Sequence, residues 1–247
     1  MKQPCLLFHG FTGGPFEVEP LAQYLLERGQ LCDVPKLPWH GEDAEELKAS
    51  RWEDWVQSAE QHAQRMTNQY GSFDLVGFSM GGLLAAYLAV RYPVRRLVLL
   101  NTAVIYISPS RLLNVIREDW RHQDQDYLKK AKSTPLRATW QFTRLVRHLK
   151  PEISRVTVPT FVAQAERDQV IHPQSARYIY SKLNGHRELY WCPKSKHLIC
   201  HSEDAAALFD QVGTFLERDT VENDHENAAT SKSTSYASPT QGKAPLR

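Results

Sequence analysis

The feature that most constrains this chain is Gly77-Phe78-Ser79-Met80-Gly81, a serine between two glycines where one apolar run gives way to another. Residues 73–77 are short, apolar and bounded by Gly71 and Ser72, which predicts a buried strand. From 80 to 92 the apolar residues are nearly continuous and Pro93 supplies a stop, which predicts a buried helix. A strand that reverses into a helix over one residue brings backbone segments so close that Cβ atoms at 77 and 81 would collide, and glycine removes them. Such a turn projects the Ser79 hydroxyl into the open above the sheet and aims the Met80 N–H at an oxyanion bound beside it. Ser79 is therefore a candidate nucleophile. The pentapeptide alone arises by chance in on the order of one chain in ten of this length, so its neighbours have to decide.

Those neighbours alternate. Strands are predicted at 4–9, 31–35, 73–77, 96–101, 160–164 and 188–192, and helices at 17–28, 52–68, 80–92, 174–183 and 203–216. Alternation of this kind implies an α/β fold with a mostly parallel sheet, helices on both faces, and a site built from loops at the strand C-termini. Two segments depart from it. Residues 104–155 hold no convincing strand but carry Trp120, Tyr127, Trp140 and Phe142 among helix formers, which predicts a small helical lid inserted between core segments 1–103 and 156–217. Residues 218–247 are rich in Ser, Thr, Asn, Ala and Lys, too polar to offset the entropy of ordering, and are expected to form a disordered C-terminal tail.

At 247 residues the chain can bury one large core. A formal net charge of +2 gives no overall field that would favour nucleic acid. Cys5, Cys32, Cys192 and Cys200 are scattered, without metal-ligand spacing, and read as free thiols. The N-terminal residues enter a strand without a signal-peptide apolar region, and no stretch reaches the length of a membrane span. The expectation is a cytoplasmic protein.

A serine hydroxyl is a poor nucleophile at neutral pH, so a base has to reach it and a third group has to fix that base's tautomer. In a strand-turn-helix setting of this kind the acid and then the histidine follow the serine along the chain, each in a loop after a strand. His197 lies in the polar loop after the 188–192 strand and before the last helix; His201, four residues on, is its local rival. A zinc reading of this His-x-x-x-His pair lacks the Glu and a third ligand, and neither metal nor cofactor is expected. For the acid, the strand ending near Ala165 leads to Glu166 and Asp168, and Asp168 is favoured because it falls in the turn that can face His197. The end of the 96–101 strand offers Asn101 and Thr102 in place of an acid. Oxyanion donors are assigned to the backbone N–H groups of Phe11, in the glycine-rich loop 10–14, and Met80. His9 is expected to bond the loop backbone.

Leu-Leu-Phe-His-Gly-Phe-Thr-Gly at 6–13, Gly-Phe-Ser-Met-Gly-Gly at 77–82, Val-Pro-Thr-Phe-Val-Ala-Gln-Ala-Glu-Arg-Asp at 158–168 and Ser-Lys-His at 195–197 together resemble the α/β-hydrolase superfamily. The resemblance is closer to its small bacterial carboxylesterases and monoacylglycerol lipases, and covers nearly all of 4–217. It implies the α/β-hydrolase fold, a Ser79, Asp168, His197 triad, and a short- to medium-chain ester or monoacylglycerol as small-molecule substrate. The chain departs from that family at Lys196 and at Trp39, where glycine is common. Lys196 would lower the pKa of His197 if it faced the ring; Trp39 would narrow the pocket or else pack on the sheet edge. Trp39, Trp120, Trp140 and Ile171 are the candidate substrate contacts. Between 105 and 155, eleven Lys and Arg stand against five Asp and Glu, which suits a solvated helical face or transient contact with a membrane surface. A lyase or C–C bond hydrolase with the same triad, or a non-catalytic binding module, are the alternatives; the oligomeric state is left open.

Overall fold

The computed structural model describes residues 2–40, 49, 51–105 and 136–218. Trp120 and residues 106–135 of the expected lid lie outside the described residues, as does the expected tail beyond Arg218. The described residues up to Leu216 belong to one compact unit.

Six strands are described: β1 Cys5–Phe8, β2 Cys32–Asp33, β3 Phe73–Phe78, β4 Val94–Leu100, β5 Thr160–Ala165 and β6 Arg187–Cys192. They form one parallel sheet in the order β2-β1-β3-β4-β5-β6, with Leu6 opposite Leu75, Val76 opposite Val98 and Val162 opposite Leu189. Side chains alternate across it. Leu6, Phe8, Leu75, Leu97, Leu99 and Val162 bury into one apolar cluster, while Cys5, Leu7, Val76, Val98, Leu100 and Phe161 bury into a second on the other face.

Helices cover both clusters. The helix α1 Glu19–Glu27 and the last helix bury Leu21, Leu25, Leu208, Val212 and Phe215 in the second. The first cluster takes α2 Trp52–Tyr70, α3 Met80–Ala89, α4 Leu136–Leu149 and α5 Gln174–Lys182; the last helix, α6, is Ala205–Glu217. In α2 the buried residues are Trp55, Val56, Ala59, Ala63 and Met66, one helical stripe, and Gly71 at φ 79° ends it by donating its N–H to the Thr67 carbonyl. Every residue of α3 except Tyr87 is buried, in keeping with its unbroken apolar sequence.

Chain order reverses between β1 and β3, because β1 is followed by β2 on one side while β3 pairs on the other. Parallel sheets of this kind open a crevice at the strand C-termini where the order switches. The loop 10–14 leaves β1 there, and Ser79 leaves β3 beside it.

Candidate active site

Ser79 occupies φ 53°, ψ −114°, a conformation that L residues seldom adopt. Its neighbours make that possible. A Cβ on Gly77 would run into the Gly81 carbonyl, and one on Gly81 would run into the Phe8 carbonyl at the end of β1. Gly82 is equally confined, against the Thr102 side chain, a contact the sequence pattern does not disclose. The turn is pinned from β4: Ser79 N–H donates to the Leu100 carbonyl at 2.9 Å, and the Ser79 carbonyl accepts from Ala103 N–H at 3.2 Å. Contrary to the open placement expected of the hydroxyl, Ser79 is only 2% exposed. The loop after β1 lies against it, so close that a methyl on Gly10 would stand 3.2 Å from the Ser79 Cβ.

His197 and Asp168 meet at the same end of the sheet. His197 Nδ1 lies 2.9 Å from Asp168 Oδ2, with both side chains buried. A carboxylate there puts the ring proton on Nδ1 and the lone pair on Nε2, the tautomer a base needs. Asp168 Oδ1 accepts the N–H groups of Val170 and Ile171 at 2.8 and 2.9 Å, which fixes the carboxylate. The His197 ring packs 5.0 Å from that of Phe78, the residue before Ser79. His201 turns away and bonds the Phe16 carbonyl at 2.8 Å. Glu166 is exposed, and so is Lys196, whose charge would bear on His197 only if it faced the ring.

The loops are tied to one another. Asn101, at φ 43° just beyond β4, donates from Nδ2 to the His197 carbonyl at 2.8 Å and accepts Ala165 N–H on Oδ1 at 2.8 Å. It thus bridges the loops that carry base and acid. Arg167 N–H donates to the Ser195 carbonyl at 3.2 Å, and Ser195 Oγ donates to Asp204 at 2.9 Å.

Beside Ser79, Met80 is the first residue of α3, so its N–H has no acceptor within the helix. Phe11 is anchored by its ring, stacked on Phe142 of α4 at 4.9 Å and edge-on to Trp55 at 5.7 Å. His9 accepts Leu37 N–H on Nε2 at 3.0 Å, so Nδ1 carries the proton and donates to the Gly10 carbonyl at 2.9 Å. Burial beside His40 holds His9 neutral, its pKa lowered to about 3, and burial likewise takes His40 to about 4. Glu17, unremarked in the sequence, is 3% exposed and accepts Gly10 N–H on Oε2 at 2.7 Å. Burial pushes its carboxyl up to about 7.

The candidate substrate contacts divide. Ile171 is buried in the Asp168 loop. Trp140 is 57% exposed on α4, with the Arg144 guanidinium 4.9 Å above its ring, on the face turned away from Phe142. Trp39 is 38% exposed and donates from Nε1 to Asp54 at 3.1 Å. Its φ of 66° explains the departure noted at this position: Leu37-Pro38-Trp39-His40 is a turn closed by His40 N–H on the Leu37 carbonyl, and its third residue occupies the left-handed region that glycine favours. Phe142, an aromatic of the expected lid, and Trp55, unremarked in the sequence, both pack on the Phe11 ring. Among the described residues no cluster of three His, Cys, Asp or Glu could hold a metal ion, and no helix is long and apolar enough to cross a membrane.

A family model described as alpha/beta hydrolase fold matches residues 3–139, and one described as serine aminopeptidase, S33, matches residues 115–204. A carboxylesterase of Bacillus subtilis (strain 168) is 28% identical over 225 residues, 86% of this chain and 92% of the relative. A thermostable monoacylglycerol lipase of Bacillus sp. (strain H-257) is 28% identical over 225 residues, 86% of this chain and 90% of the relative. Among solved structures, one described under LipS and LipT, two metagenome-derived lipolytic enzymes, shares the fold with a TM-score of 0.75 at 21% identity, covering 87% of this chain and 94% of its own.

Proposed function

The chain belongs to the α/β hydrolase fold family, and from that premise we propose that it is a serine hydrolase cleaving carboxylic esters, with short- to medium-chain acyl esters or monoacylglycerols as substrates. The observation that carries this reading is the buried 2.9 Å bond between His197 Nδ1 and Asp168 Oδ2, in a loop packed beside the strained turn at Ser79. The named activities of the two Bacillus relatives support ester hydrolysis over the other chemistries this fold accommodates.

In this mechanism Ser79 Oγ attacks the ester carbonyl and gives its proton to His197 Nε2. Asp168 accepts the Nδ1–H bond throughout and stabilises the imidazolium that forms. The N–H groups of Phe11 and Met80 receive the charge that develops on the carbonyl oxygen. His197 returns the proton to the departing alcohol, and water, activated the same way, then releases the acid from the acyl-enzyme. Segment 104–155 is the lid in this reading. The face of α4 that bears Arg137, Trp140, Arg144 and Arg147 supports transient contact with an anionic amphiphile surface. Cytoplasmic residence is supported by four cysteines that are all free thiols.

A panel of p-nitrophenyl esters and monoacylglycerols of increasing acyl length tests the proposal, with Ser79→Ala as control. Turnover by the wild type and a loss of roughly 10³-fold or more in kcat for Ser79→Ala are expected. Undiminished turnover by the variant, after contaminating esterases are removed, would show that Ser79 is not the nucleophile.

A further inference from the structure

Glu17 closes the short turn Pro15–Glu17 ahead of α1, and its sequence context suggests no more than an acidic residue near a helix start. The structure instead folds its carboxylate back under the loop 10–14. Oε2 accepts Gly10 N–H at 2.7 Å, and the Gly14 backbone also bonds the carboxylate. The glycines make the space: a Cβ on Gly13 would collide with the carboxyl group, and one on Gly10 would stand 3.1 Å from Oε2 while touching Ser79 on its other side. The carboxylate and the Ser79 side chain thus flank the same peptide. The titratable groups facing Glu17 are His197, from the loop after β6, and Cys200, from the turn Ile199–His201; the neighbouring His201 is engaged with the Phe16 carbonyl.

We propose that Glu17 is a positioning residue of this site: its ionised carboxylate clamps the Gly10 N–H, and through it the segment that presents the Phe11 N–H beside Ser79, while its charge favours the imidazolium of His197. The inference rests on the hydrolytic reading of Ser79, Asp168 and His197. A charge-assisted bond from Gly10 is stronger than one to a neutral acid, so protonation of Glu17 loosens the clamp. The same protonation removes an anion that stabilises the charged base. With burial raising its carboxyl to about 7, Glu17 ionises in the range where esterase activity is ordinarily measured. The acid limb of the pH profile therefore contains two coupled ionisations, belonging to His197 and Glu17 together.

The experiment is the pH dependence of kcat and KM for p-nitrophenyl butyrate, followed at the isosbestic wavelength from about pH 5 to about pH 9, with wild type, Glu17→Gln, Glu17→Asp and Ser79→Ala. At the alkaline end, Glu17→Gln is expected to lose about tenfold in kcat with KM unchanged, less than the loss of an oxyanion donor outright. Its acid limb is expected to fall to a single ionisation, and Glu17→Asp to regain part of both. Wild-type kcat and profile in Glu17→Gln overturn the proposal, as does a loss confined to KM or to thermal stability. If the variants do not fold, the wild-type profile decides, and a limb of one ionisation overturns it. Retained turnover in Ser79→Ala would instead remove the hydrolytic reading itself, so the two failures are distinguishable.

Discussion

At Ser79 the backbone is held at φ 53°, ψ −114° by glycines on either side and by hydrogen bonds to Leu100 and Ala103, so strain at the nucleophile is maintained by the surrounding sheet. Asn101 is the next residue of this kind. It too has positive φ, 43°, which Asn tolerates better than most side chains, and its amide satisfies the His197 carbonyl and the Ala165 N–H at once. Asn101→Ala leaves both backbone groups buried without that partner and forfeits the conformational preference. It is expected to cost about 2–4 kcal/mol in urea denaturation and to lower kcat by loosening His197. Wild-type stability and kcat would show that the bridge does not position the base. Ser79, Asp168 and His197 could be singled out because their roles demand residue types in a fixed chain order. Asn101 and Glu17 could not, since what they do depends on burial and on which backbone groups they meet across the fold. Trp39 lay between these cases: its oddity was visible as a missing glycine, but the cause was a positive φ that no side-chain pattern records.

The bounds of β3 and β5 followed the apolar runs closely, because both strands are buried throughout and their ends meet polar or turn residues. The relation of α4 to the site was less legible. Its buried residues Ala138, Phe142, Leu145 and Leu149 define one stripe, and Trp140 falls on the opposite face, which helical periodicity alone could have indicated. What periodicity could not supply is the partner: Phe142 stacks on Phe11 with planes 13° apart, joining α4 to the loop that carries the assigned oxyanion donor. Phe142→Ala removes that stack and leaves a cavity under α4. A loss of about 3–4 kcal/mol by chemical denaturation is expected, with a fall in kcat as the 10–14 loop loosens; Phe142→Leu is expected to restore most of the stability and less of the kcat. If Phe142→Ala lost stability but kept kcat, the stack would be core packing without influence on the loop.

For the molecule as a whole, four buried groups, three around the loops after β1 and β2 and Asp74 at the start of β3, link its stability to pH in opposing directions. His9 and His40 have native pKa values lowered from 6.5 to about 3 and about 4, so below pH 6.5 the unfolded chain takes up protons that the folded one refuses. Their contribution therefore falls as the pH falls. Glu17 and Asp74 are raised by burial, from 4.5 to about 7 and from 3.8 to about 6, although Asp74 is paired with Arg95 and Gln30. Here the folded chain holds protons that the unfolded one has released, so the contribution of each falls as the pH rises between its two values. Between pH 4.5 and 6 two groups act each way, and wild-type stability is expected to be nearly flat. Glu17→Gln removes one opposing member, leaving a net uptake of one proton on unfolding. Its stability is then expected to rise with pH by about 2 kcal/mol over that interval, since each unit corresponds to about 1.4 kcal/mol. Urea denaturation of both proteins at matched pH measures this directly. The slope is the informative quantity, because the absolute difference also includes the hydrogen bonds of the new amide. Parallel curves would mean that Glu17 is ionised throughout the interval and carries no buried cost. Diverging curves would mean that the folded chain gives up stability at neutral pH to keep an anion under the loop, the exchange expected where a buried charge serves the site and not the core.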